Sequence, residues 1–462
     1  MYQTYGKVYS WLFVVLIPLY LSLQLLKANT NISTTLQLFN HTFPKSNSHS
    51  NTWTFREHWP LSQPKRRRTQ QNTEEKYLTF FTHSGFQNQL IQVENGILLA
   101  WYLNRTLILP KAVLGQAFGW SHFERLYQHH TLRDTSNPFC ARFTKKKDRK
   151  LASCPDPNKY ALASFEDLFD LSWAKQHVRI EQRDASDFHW LQYHYGIHTG
   201  NHHQSHGSYV DGDIFFFKDK TRYDWRIYDM PNKYKFLGRY ADSLQVEELQ
   251  NHSEKLIHFT SLFGTGKFSI KNPQNMQFFK SLQNSITYRH PAVLKISHSV
   301  IGALGGSRNF LGVHLRTADG LFIDAVPENI QNIIRRIPAT SIPLVNTTDL
   351  PLSTCVALAQ QNQTTLVFLA TDAIQPRSNP QFQPLWSHSP CTFTLNEILP
   401  PQHPTWHHVD AYRTHTGESM RRFLTPLMDA LVASQGSVFI GSKGSTFSGY
   451  IRRLHHTKRN VF

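Results

Sequence analysis

Four short stretches of the chain hold residues that could act on a phosphorylated ligand. His314-Leu315-Arg316 closes the apolar run FLGVHL, and the two polar residues are two apart, so at a strand end both side chains leave one face. An arginine fork suits two phosphate oxygens and keeps its charge at any physiological pH. The imidazole beside it can hydrogen-bond base, sugar or phosphate. A plain surface pair of Arg316 with Asp319 is the alternative. Thr371-Asp372-Ala373 follows TLVFLA, where the carboxylate could accept bonds from a base or ribose, or cap the segment that follows. Gly441-Ser442-Lys443-Gly444-Ser445-Thr446-Phe447-Ser448 sets glycines and hydroxyls at the opening of a helix, an anion cradle or simply a capped helix. His83-Ser84-Gly85-Phe86-Gln87-Asn88-Gln89 puts a glycine where backbone can approach a ligand or merely turn tightly.

These stretches need elements to hold them, and the pattern supplies them. YLTFFT (77–82) reads as a strand, and Leu90, Val93, Ile97, Leu98 and Trp101 are spaced as one face of a helix over 88–103. TLIL (106–109), closed by Pro110, completes a β-α-β unit and so predicts a parallel sheet. The second half repeats this order with FLGVHL (310–315), TLVFLA (365–370), a helix over 421–434, SVFI (437–440) and a further short helix. The fold class expected is α/β, with two Rossmann-like lobes facing a cleft: an N-terminal lobe over 76–295, on the acceptor side, and a C-terminal lobe over 296–462, on the donor side. Ligands of such sheets sit beyond the carboxyl ends of the strands, where all four stretches fall.

Taken in order, GF-x-NQ with its helix and LNRT-LI-P, then GVHLR, LATD and FIG…STFS…I-RRL resemble the O-fucosyltransferase-like family, which includes the protein O-fucosyltransferases. The likeness covers about 77–120 and 305–455 and is thin between. It implies a two-lobed GT-B glycosyltransferase that uses GDP-fucose as donor substrate, with no essential metal and no other cofactor. It implies that His314 and Arg316 hold the donor, with Arg316 on the pyrophosphate. Asp372 then faces the nucleoside, Ser445, Thr446 and Phe447 bind phosphates and pack on the nucleotide, and Gly85, Phe86 and Asn88 reach across from the first lobe. Some members place a glutamate just before the Gly-Phe as general base; Ser84 stands there, and His83 is the substitute, its ordinary pKa lying in the useful range. Some plant relatives of similar pattern transfer rhamnose, so a rhamnosyl transferase, another sugar transferase of the same fold and an inactive sugar-nucleotide or glycan binder stay open.

A chain of 462 residues with 40% hydrophobic residues can build two lobes, and its charge of +17 asks for an anionic partner. The N-terminus argues against nucleic acid. Residues 8–26 carry no formal charge, and nineteen helical residues rise about 28 Å, close to the hydrocarbon core of a bilayer. They read as an uncleaved membrane anchor after a cytoplasmic tip (1–27 together); a signal peptide cut at Ala28 is the alternative. Residues 28–75, polar and with the run Lys65-Arg66-Arg67-Arg68, read as a flexible stem. The expectation is a single-pass type II protein of the Golgi or endoplasmic reticulum membrane with a lumenal catalytic part. Four cysteines in such a compartment suggest the disulfides Cys140–Cys154 and Cys355–Cys391 by proximity. Sequons at Asn31, Asn40, Asn104, Asn251, Asn346 and Asn362 suit that setting. Asp211-Gly212-Asp213 is the D-x-D that a metal-dependent GT-A enzyme would need. The absence of H-E-x-x-H argues against a zinc hydrolase, and Gly266-Lys267 lacks its P-loop glycine because position 261 is Ser261.

Overall fold

A computed structural model describes residues 75–458, apart from 117, 136, 144, 202–203, 232–235, 319 and 339–349. Its first unit follows directly from the apolar runs. Strand β1 (Tyr77–Phe80) is buried at every position, helix α1 (Phe86–Leu103) lies on it, and β2 (Thr106–Leu109) returns parallel beside it. Continuous burial is what a strand covered on both faces needs. Four more strands complete this sheet: β3 (Ile180–Gln182), β4 (Gly207–Asp211), β5 (Ile214–Lys218) and β6 (Leu256–Phe259). The order is β3-β2-β1-β6-β5-β4, parallel except for the edge strand β4, which forms a hairpin with β5. An antiparallel pair (112–115 with 160–163) and a small three-stranded parallel sheet (225–228, 242–245 and 268–269) flank it.

The second sheet contains β7 (Leu311–Leu315), β8 (Val367–Thr371), β9 (Thr392–Phe393) and β10 (Phe439–Gly441). All four run parallel in the order β9-β8-β7-β10, with Val313 opposite Leu369 on one side and Ile440 on the other. Helices α2 (Pro273–Ser285), α3 (Pro291–Ala303), α4 (Arg421–Ser434) and α5 (Thr446–Lys458) cover and connect the lobes. The end of α4 abuts β7 so closely that a Cβ on Gly312 would stand 1.9 Å from the Ala433 carbonyl oxygen, and only glycine fits. One apolar core runs through both sheets, from Leu78 and Phe259 to Leu427 and Ile451. The boundary expected at 295/296 falls inside α3, which packs on α4.

Both expected disulfides are formed, Cys140–Cys154 and Cys355–Cys391. The expected anchor and the sequons Asn31, Asn40 and Asn346 lie outside the described residues, as does the stem up to residue 74. Among the described residues no helix is long and apolar enough to cross a membrane. Asn104, Asn251 and Asn362 are exposed. The D-x-D forms the turn of the β4–β5 hairpin, where the Asp213 carboxylate accepts the His198 N–H at 2.8 Å. That turn sits at the amino ends of the parallel strands, the edge opposite the four stretches above.

Candidate active site

The loops after β7, β8 and β10 meet because their strands are neighbours in register. Ser442, just past β10, stitches two of them. Its backbone N–H donates to the His314 carbonyl at 3.0 Å, and its hydroxyl accepts the Arg316 N–H at 2.9 Å. Thr371, ending β8, donates its hydroxyl to the Leu315 carbonyl at 2.8 Å. Asp372 is the centre of this knot. One oxygen accepts the Thr317 N–H at 2.7 Å and the Thr317 hydroxyl at 2.9 Å; the other accepts the Ala318 N–H at 3.3 Å and lies 3.0 Å from an Arg316 guanidinium nitrogen. The carboxylate expected to face a nucleoside is thus spent on holding the 316–318 turn, because four donors converge on it. Asp319, the other partner considered for Arg316, lies outside the described residues.

His314 is buried, and its Nδ1 meets the Ser448 hydroxyl at 2.7 Å, while the Phe447 ring stands edge-on at 4.9 Å. Burial, with Arg316 adding to it against the pull of Asp372, holds the ring down to about 4, so it is neutral at pH 7. It therefore anchors the first turn of α5 as well as facing the site. Gly441 lets that turn come close, since a Cβ there would lie 2.7 Å from the Ser448 Cβ. Ser445 accepts the Ser448 N–H at 3.2 Å and so caps α5, while Thr446 and Lys443 stay exposed at the mouth. Gly444, at φ +75°, makes the turn before the helix.

The first lobe contributes the start of α1. Gly85 is its cap residue, with no side chain capping the helix and no acidic residue in the first turn, so the helix end keeps its positive character. A Cβ at Gly85 would meet nothing within 4 Å, which leaves open space beside it. The Asn88 Oδ1 is buried without a partner, a polar atom waiting for one. Phe86 differs from expectation. Its ring stacks on Phe169 at 5.6 Å and on Phe165 at 6.3 Å, so the half-buried side chain packs against the core through two aromatic neighbours. His83 also differs. Its ring bridges the Ser84 and Ser261 hydroxyls, each at 2.8 Å, and burial together with Arg222 and His130 lowers it to about 3. The near-neutral pKa on which a base role relies is lost to desolvation.

The structure thus brings His314, Arg316, Asp372, Ser445, Thr446 and Phe447 to one edge, and Gly85 and Asn88 to the start of α1. Ser442 and Ser448, read only as members of an anion cradle, and Thr317, not singled out, do much of the positioning. Their signal was a hydroxyl directly after a strand or within the first turn of a helix, where it can bond a neighbouring loop.

A family model for GDP-fucose protein O-fucosyltransferase matches residues 77–458. No curated protein matches by sequence. Among solved structures, POFUT1 in complex with GDP-fucose is similar at 13% identity and a TM-score of 0.36, covering 83% of this chain and 95% of that one. The fucosyltransferase NodZ from Bradyrhizobium is similar at 13% identity and a TM-score of 0.36, with 82% and 93% covered. Superpositions this loose carry no residue correspondence. The family match, however, spans both sheets and every loop described above, and the chain belongs to the GDP-fucose protein O-fucosyltransferase family.

Proposed function

We propose that this fucosyltransferase holds the GDP of its donor in the loops after β7, β8 and β10, in a GT-B arrangement, and receives the acceptor hydroxyl from the N-terminal lobe. The observation that carries this reading is the fixing of Arg316. Its backbone is held by Ser442 and its guanidinium by Asp372, so the fork is oriented before any ligand arrives. Transfer breaks the bond between the fucose C1 and the β-phosphate oxygen, forms one from C1 to the acceptor oxygen, and releases the hydroxyl proton. Negative charge grows on the departing GDP, and a preoriented guanidinium stabilises it more in the transition state than in the ground state. The N–H groups at the start of α5 add to the same field. Neutral His314 positions the α5 turn and offers a hydrogen bond without adding charge. Gly85 and Asn88 close the site from across the cleft.

The hydroxyl proton passes to solvent or to an oxygen of the departing phosphate. Ser84 occupies the position of the glutamate that some relatives use, and His83 is too weak a base when buried. This favours a reaction driven by leaving-group stabilisation, and it is also the observation that supports an inactive binder as second reading. We further place the catalytic part in the lumen of the Golgi or endoplasmic reticulum, anchored through residues 8–26; two formed disulfides support an oxidising compartment. Thermal shift of the full-length protein with GDP, GDP-fucose, GDP-mannose and UDP-sugars tests the donor, since a ligand bound only by the folded state raises Tm by linkage. GDP and GDP-fucose should stabilise and UDP-sugars should not. Equal shifts with UDP and GDP would overturn the reading. Stabilisation without turnover would select the binder.

A further inference from the structure

The carboxyl edge of the N-terminal sheet holds a cluster that donor binding does not use. Three arginines lie against aromatic rings in the segments that follow β5 and β6. The Arg222 guanidinium carbon is 4.0 Å from the Phe263 ring centre, Arg239 is 4.3 Å from that of Tyr223, and Arg226 is 5.5 Å from that of Phe236. Phe263 in turn sits 5.1 Å from the His83 ring, and Tyr223 is 6.0 Å from Phe263, so Arg222 and Arg239 share one wall, which Arg226 joins beside Tyr240. None of them has a carboxylate within 4.0 Å among the described residues. Two acids nearby, Asp219 and Asp224, are buried. Asp224 accepts the N–H and hydroxyl of Thr221 at 2.9 and 2.7 Å. The Nε atoms of Arg222 and Arg226 are buried without a hydrogen-bond partner. Phe236 and Met230, 73% and 44% exposed, form an apolar rim.

We propose that this wall is the acceptor subsite and that it takes an acidic polypeptide segment, whose carboxylates meet Arg222, Arg226 and Arg239. Guanidinium groups already held against rings, and for Arg226 also by the Phe236 carbonyl, lose little freedom on binding planar carboxylates. A glycan fits less well, because the ring faces of Phe263 and Tyr223 on which a sugar would stack are already covered by guanidinium. The apolar rim suits a polypeptide's side chains instead. The position depends on the donor lying across the cleft, and the test separates the two claims.

Binding to the full-length protein would be followed by fluorescence anisotropy with three labelled probes. One is a twelve-residue serine-containing peptide with four Asp or Glu, one is the same peptide with Asn and Gln in their place, and one is an oligogalacturonide of equal charge. The acidic peptide should bind at least tenfold more tightly than the neutral one. An Arg222→Ala/Arg239→Ala double variant should lose that preference while its thermal shift with GDP stays unchanged. Arg239→Ala alone, an exposed change that leaves the core intact, should lose part of it. Equal binding of the acidic and neutral peptides, tighter binding of the oligogalacturonide, or a preference that survives the double variant would each overturn the proposal. Loss of the GDP shift in the wild type would instead sink the donor site and leave the peptide result to stand by itself.

Discussion

Asp372 stands 3.0 Å from Arg316 and spends its remaining acceptor capacity on the backbone and hydroxyl of Thr317 and on the backbone of Ala318. The two residues therefore act as one device, a cation and the clamp that aims it. Asp372→Ala should release the 316–318 turn, lower stability by about 1–3 kcal/mol and weaken GDP binding, because several donors lose their partner at once. Asp372→Asn keeps an acceptor for the turn but not the charge, so it should fall between. Tm and GDP affinity measured on both variants check this, and an Asp372→Ala protein that binds GDP as tightly as wild type contradicts the clamp.

Glu94 on α1 pairs with Arg453 on α5 and accepts from Gln283 at 3.1 Å. The carboxylate is 2% exposed, so removing it strands a largely buried guanidinium. Breaking such a pair costs about 3–5 kcal/mol. Glu94→Ala should lower Tm strongly, while turnover by the protein that remains folded stays close to wild type. A rate loss without a stability loss would move Glu94 from the scaffold into the chemistry.

Three buried imidazoles make part of the stability sensitive to acid. Burial lowers His83, His130 and His314 to about 3, 3 and 4. Unfolded, each titrates near 6.5, so between about pH 4 and 6.5 the unfolded chain binds more protons than the folded one. The stability these neutral rings supply is fully present above 6.5 and is lost as pH falls through that window. Each ring contributes ~1.4 kcal/mol per pH unit in that window, while Asp134, Asp219 and Asp429, raised by burial to about 6, 8 and 8, act in the opposite sense, so the rings are followed one at a time by NMR titration of the imidazoles. Rings that titrate near 6.5 in the folded protein would contradict their burial.

Phe86 shows what the sequence could convey and what it could not. The strands, the order of the loops and both disulfides were legible, because continuous apolar runs, glycines at strand ends and paired cysteines each have one cheap structural solution. The edge where His314, Arg316 and Asp372 meet was legible for the same reason, since parallel strands bring their carboxyl ends together. The duty of each side chain was not. Phe86 packs on Phe165 and Phe169, which lie some eighty residues away in a segment that no local pattern links to it. Asp372 turned inward because its partners come from the neighbouring loop. His83 lost its proton affinity to burial that only the folded chain creates. Accordingly, Phe86→Leu should lower stability by about 1–3 kcal/mol and leave GDP affinity unchanged. A selective loss of GDP binding would return Phe86 to the donor site.

Metal dependence separates the two glycosyltransferase classes. Asp213 is bound to the His198 backbone in a hairpin turn at the wrong edge of its sheet, so Asp211→Ala should retain transfer and EDTA should leave the rate intact. Abolition by EDTA with rescue by Mn²⁺, together with loss of activity in Asp211→Ala, would favour the metal-dependent class.

The most direct measurement is the single-turnover rate of fucosyl transfer from GDP-fucose by Arg316→Ala and Arg316→Lys, with Tm recorded on the same samples. If the guanidinium stabilises the departing GDP, Arg316→Ala should fall by about 10²–10³, the cost of removing a fixed electrostatic donor of about 3–4 kcal/mol. Arg316→Lys keeps the charge without the fork and should also be badly impaired. Tm should change less than the rate, since the half-buried Asp372 keeps its bonds to Thr317 and Ala318 when the guanidinium is removed. A folded Arg316→Ala protein that transfers fucose at the wild-type rate would contradict the placement of the donor at this edge.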